Sequence, residues 1–111
     1  MNQAKKIVHL TSAHPRYDTR IFVKMCSSLS KHGYPVGLVV ADGLGDEIKH
    51  DVHIVDSGGR EGRRLARMRK TTRRVFEKGL QLGASIYHLH DPELIPVGLK
   101  LKRLGKTVIF D

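Results

Sequence analysis

The sequence predicts an α/β protein: an open, Rossmann-like parallel sheet with helices on both faces. Three observations lead there. Short apolar, β-prone runs alternate with amphipathic stretches of helical period. The runs are apolar at consecutive positions, as strands covered on both faces require. Glycines stand just past the helical stretches, at Gly33, Gly83 and Gly105, where a left-handed residue closes a helix.

Lys5 to Thr11 (KKIVHLT) reads as the first buried strand. A polar loop, Ser12 to Tyr17, follows. Asp18 is placed to cap a helix from Thr19 to His32, in which Phe22, Met25, Cys26 and Leu29 recur at helical spacing. Pro35 to Ala41 (PVGLVVA) is the second strand, and the Gly- and charge-rich stretch Asp42 to Asp51 has turn composition. Val52 to Val55 is a short third strand, broken by Ser57-Gly58-Gly59. A long helix spans about Gly62 to Leu82, with Leu65, Met68, Thr72, Val75, Phe76 and Leu82 on one side.

Ile86 to His90 is the fourth strand. Asp91 then caps a helix with Pro92 in its first position. Pro96 removes an early helical hydrogen bond, so the regular helix is expected to start after it. Thr107 to Phe110 is the fifth strand. For this order of elements the expected strand order is 3-2-1-4-5. An open sheet normally continues into another crossover after such a strand, so the chain reads as the first part of a longer protein.

A chain of 111 residues is one small domain. Its 40% hydrophobic and 28% charged residues are a globular profile. No apolar run approaches the roughly 20 residues of a membrane span. The apolar run near the start is too short for a signal-peptide core, so a cytoplasmic location is expected. Cys26 is the single cysteine, which excludes an intrachain disulfide and argues against a thiolate zinc site. The formal charge of +9 calls for an anionic partner: nucleic acid, anionic lipid or a phosphorylated substrate.

In open parallel sheets ligands bind beyond the carboxyl ends of the strands, where strand order reverses. Two loops should meet there, Ser12 to Arg20 and His90 to Glu93. The first lacks G-x-G-x-x-G and any phosphate-binding lysine motif, which argues against a dinucleotide or P-loop site. It offers instead His14, Arg16, Asp18 and Arg20, groups suited to a hydroxyl-rich or anionic ligand. Asp18 and Asp91 also serve as helix caps. His88 and His90 share one strand face, since side chains alternate. A metal pair there lacks a third ligand, so no metal site is assigned. His9 and His88 read as structural, and His90 as a candidate ligand contact.

The long helix carries a second signal. Arg63, Arg67, Lys70, Arg74 and Lys78 fall within an arc of roughly 80°, opposite the apolar side. Arg60, Arg64, Arg69 and Arg73 add charge, and only Glu61 and Glu77 offset it. Such a face suits an anionic membrane surface. Nucleic acid is disfavoured, because no aromatic residue except Phe76, on the core side, interleaves with the arginines for base stacking.

The stretches "HLTSAHPRYDTRIFVKMCSSLSKHGYPVGLV" and "IYHLHDPELIPVGLKLKRLGKTVIFD" resemble the N-terminal domain of bacterial glycosyltransferase family 4 enzymes. The resemblance spans nearly the whole chain and is strongest in HPRYDTRIF and YHLHDPELIP. It implies the N-terminal, acceptor-binding half of a GT-B architecture, with a donor-binding domain absent from residues 1–111. It implies sugar transfer from a nucleotide-sugar co-substrate with retention of anomeric configuration and with no bound metal or cofactor, and a lipid-linked sugar or glycan acceptor. The setting would be bacterial surface polysaccharide synthesis at the inner face of the membrane. His14, Arg16, Asp18, Arg20, His90, Asp91 and Glu93 would line the acceptor side of the cleft. The family's cleft histidine would lie just beyond Asp111, so these residues alone are expected not to turn over substrate. A sugar-nucleotide epimerase of the same architecture and a non-catalytic nucleic-acid-binding module are the competing readings.

Overall fold

The computed structural model describes residues 5–59 and 64–111, with the side chains of 64–67 outside the description. The chain is an α/β fold. Its strands are β1 (Ile7–Leu10), β2 (Val36–Val40), β3 (Glu47–Lys49), β4 (Val52–Asp56), β5 (Ile86–Leu89) and β6 (Thr107–Phe110). They form one sheet in the order β3-β4-β2-β1-β5-β6.

This order differs from the expected 3-2-1-4-5 by one added edge strand, β3: the five expected strands are β1, β2, β4, β5 and β6, and among themselves they lie in the expected order. The sheet has six strands, and β3 joins β4 antiparallel at one edge, so the sheet is mixed. The turn-like stretch before β4 thus contains a strand. Lys49 pairs with Val52 across His50 and Asp51, whose φ angles are 52° and 59°. Two successive positive φ angles make the tight hairpin turn whose twist matches the flanking strands. The other neighbouring pairs, β4 with β2, β2 with β1, β1 with β5 and β5 with β6, are parallel.

The first helical segment also departs from expectation. Residues Thr19–Cys26 form a widened turn in which Val23 N–H reaches Asp18 C=O and Ser27 N–H reaches Phe22 C=O, five residues back. Only Ser27–Lys31 (α1) is a regular α-helix. The wider turn puts Ile21 and Cys26, five apart, on the buried side with Phe22. The Asp18 carboxylate caps the segment, accepting from Arg20 N and Ile21 N at 3.0 and 2.9 Å.

Helix α2 is Arg64–Leu82 and α3 is Ile95–Arg103. Pro96 sits within the first turn of α3, so the helix begins before it. A proline there forfeits only a bond that the first turn lacks anyway. A single 3₁₀ turn, Pro92–Leu94, leads in.

The core lies on both faces of the sheet. On one, Val8, Leu10 and Tyr87 pack against Val75 of α2 and Val97 and Leu101 of α3. On the other, Leu38 and Ile54 pack against Ile21, Phe22 and Cys26. Each such buried aliphatic side chain contributes about 1.5–3 kcal/mol. Tyr87 is wholly buried, and its hydroxyl donates to Gly79 C=O and accepts from Ala84 N–H. That ties the end of α2 to β5. Because parallel partners share a face, Leu38, His9, His88 and Ile109 form one row across β2, β1, β5 and β6. Ile109, at the end of that row, is exposed.

Candidate functional site

The carboxyl ends of β1 and β5 lie side by side, and the two polar loops that follow them are joined there. Asp91 is the junction. Its Oδ2 accepts from Thr11 Oγ1 and from Ser12 N–H, both at 2.7 Å. Its Oδ1 lies 2.8 Å from His14 Nδ1. Ser12 Oγ donates to Glu93 Oε1 at 2.8 Å. The backbone of Asp91 holds the N-terminal position of its helical turn, yet its side chain makes no capping bond. The expected cap is corrected on this point. Unpaired backbone donors of a neighbouring strand end compete for the same carboxylate, and here they win.

The structure divides the seven expected contact residues. His14 and Glu93 are at the rim, with the His14 side chain about one-third exposed. Asp91 is buried beneath them. Arg16 turns away from this rim and is buried. Its guanidinium meets Asp42 with two bonds of 2.7 Å, Glu47 at 3.1 Å and Gly45 C=O at 2.7 Å. Its donors are spent on the segment between β2 and β4, and the hydrogen bonds it gives to Asp42 raise its pKa further above the usual arginine range. The same bond holds the Asp42 carboxyl below the usual carboxylate range. Asp18 acts as a helix cap. Arg20, half exposed, pairs with Asp111.

His90 is not at the surface; its side chain is fully buried. Its Nδ1 donates to Asp111 Oδ2 at 3.1 Å, which leaves its Nε2 to accept from His9 Nδ1 at 2.7 Å. The His9 and His90 rings are 5.0 Å apart between centroids and 10° from parallel. With so short a nitrogen contact, this is an in-plane hydrogen bond between imidazoles. His88 stacks against His90 at 4.4 Å and against His9 at 4.8 Å. Burial pushes His9 down to about 3 and His90 down to about 4, and lowers His88 as well. All three imidazoles are therefore neutral near pH 7. The Arg20 guanidinium holds the Asp111 carboxyl below its ordinary range.

His9 and Asp111 were not legible as members of this cluster. His9 reaches it only because β1 pairs with β5 in the register that sets His9 beside His88. Among the described residues, one open concavity adjoins the rim and another lies further along the first loop. One of about 390 Å³ is lined by Ala13, His14, Pro15, Ala41 and Asp42. The other, about 520 Å³, is lined by Pro15, Arg16, Tyr17, Asp18, Thr19, Asp42 and Leu44, so two of the expected contact residues, Arg16 and Asp18, border it.

Of the basic helix face, Arg63 lies outside the described residues, as does the side chain of Arg67. Lys70 is exposed, while Arg74 and Lys78 are partly buried. The Arg74 guanidinium packs over Gly58. No helix among the described residues is long and apolar enough to cross a membrane.

Comparison with known protein-family models, curated proteins and solved structures returns no match.

Proposed function

We propose that this chain is the acceptor-side part of a GT-B glycosyltransferase. It would hold a lipid-linked sugar or glycan while a sugar is transferred from a nucleotide-sugar. One observation carries the reading: the Asp91 junction, which brings His14 and Glu93 to one rim beside an open concavity. Ligands of open α/β sheets bind at such a rim. The imidazole and carboxylate there can orient an acceptor hydroxyl by hydrogen bonds, and orientation is a large part of catalysis of group transfer. A basic face on α2 suits a diphosphate-bearing lipid in an anionic membrane.

The test is a titration of the isotope-labelled chain followed by NMR. A water-soluble, short-chain prenyl diphosphate sugar is expected to shift the amides of Ala13, His14 and Glu93, and a nucleotide-sugar to leave them in place. His14→Ala should weaken that binding about tenfold, the loss of one charged or strong hydrogen bond. If the nucleotide-sugar alone moves these amides, the epimerase reading replaces this one. Salt-sensitive shifts with duplex DNA, and none with the prenyl sugar, favour the nucleic-acid module.

A further inference from the structure

We propose that His9, His88 and His90 form a binding site for one divalent transition-metal ion of the zinc class. The inference stands apart from sugar transfer and rests on the row of histidines beneath the rim. One ligand nitrogen from each ring lies within 4.8 Å of the others. His9 on β1 and His88 on β5 are paired in fixed register, and His90 follows the last residue of β5, so the sheet pre-arranges the set. His9 is 1% exposed. His9 Nε2 and His88 Nε2 are buried and have no hydrogen-bond partner. Buried imidazole nitrogens left without partners are costly, and a cation bound at His88 Nε2 is one way that cost is offset.

The chemistry selects the ion. Three neutral imidazoles with no thiolate suit zinc, nickel, cobalt or copper(II) and not magnesium or calcium. Asp111 Oδ2 accepts from His90 Nδ1 at 3.1 Å. That is the carboxylate behind a ligating histidine which fixes its tautomer and leaves Nε2 for the ion. Two nitrogens on one tetrahedral ion stand roughly 3.3 Å apart, given bonds of about 2.0–2.1 Å. His9 Nδ1 and His90 Nε2 would be two of its ligand atoms, so their hydrogen bond gives way, the Nδ1 proton of His9 passes to solvent or to its own Nε2, and the 2.7 Å contact opens by roughly half an ångström. The ion would clamp β1 to β5 directly below the Ser12–Asp91 junction.

The experiment is calorimetric titration of the chelator-treated chain with zinc chloride, on the native sequence and two variants. The native chain is expected to take up one Zn²⁺ per molecule. His88→Gln, at the partly exposed edge of the cluster where the fold tolerates change, should weaken uptake at least tenfold. His53→Gln alters an exposed histidine outside the cluster and should leave uptake unchanged. Absence of stoichiometric uptake by the native chain overturns the proposal. So does a loss below tenfold in His88→Gln, or an equal loss in His53→Gln.

Discussion

Asp91 Oδ2 accepts the backbone N–H of Ser12 at 2.7 Å, across 79 positions of sequence. This one carboxylate closes the end of β1 against the end of β5, and it is buried while doing so. Asp91→Ala leaves the Ser12 N–H and the Thr11 hydroxyl without their acceptor. Each buried group so stranded costs about 1–3 kcal/mol. A loss of about 2–4 kcal/mol is expected by urea denaturation, with faster amide exchange at Ser12 and His14. A loss under about 0.5 kcal/mol would show that solvent or a neighbour replaces the carboxylate.

Arg16 gives a second prediction, with a pH signature. Lysine cannot reproduce the two-bond fork to Asp42 or reach Glu47 and Gly45 together. Arg16→Lys should cost about 1–3 kcal/mol at pH 7. The pairing lowers the folded pKa of Asp42 below its ordinary 3.8. Below pH 3.8 the unfolded chain therefore binds more protons at this group than the folded one. The stability it contributes is complete above that pH and is lost as pH falls through the folded value. In Arg16→Lys the acid limb attributable to Asp42 should be shallower, measured by urea denaturation between neutral pH and pH 2.5 or so. An unchanged acid limb would mean that the ion pair does not set it.

The parallel strands and the meeting of the two loops were legible because both follow from short apolar runs and from where such sheets place their carboxyl ends. What escaped depends on register or on competition. His9 looks like any strand residue until β1 is laid beside β5. Arg16 and His14 are two residues apart and equally polar on paper. Only the Asp42 and Glu47 carboxylates, brought near by β2 and β3, draw Arg16 away from the rim. β3 is three residues long and mostly exposed, with Ile48 facing solvent. It carries no apolar signal, and a turn with His50 and Asp51 lacks the Asn-Gly sequence that would announce it.

That turn yields a third prediction. Asp51 has φ of 59°, a conformation that costs a side-chain-bearing residue about 1–2 kcal/mol and glycine almost nothing. Asp51 is exposed, and glycine also removes backbone stiffness from the unfolded chain. The net gain expected for Asp51→Gly is about 0.5–1 kcal/mol, read as a higher urea midpoint. Asp51→Val should move the midpoint the other way. If both variants match the native chain, the turn does not hold this geometry in solution.

The last prediction concerns Cys26, which is wholly buried between the widened helical turn and the sheet. Burial alone pushes its thiol up to about 12 from an ordinary 9.0. The folded chain therefore keeps the proton when the unfolded chain begins to lose it. Above pH 9.0 the unfolded state binds fewer protons, so stability should fall as pH rises, by up to about 1.4 kcal/mol per pH unit. In Cys26→Ala this alkaline decline should flatten, at the cost of about 1–2 kcal/mol for the cavity at all pH values. The thiol should also resist iodoacetamide at pH 8. Its labelling rate should rise with urea in step with unfolding, because only the opened chain presents a thiolate. Rapid labelling of the folded chain would mean that the helical segment opens on its own and exposes this face of the sheet.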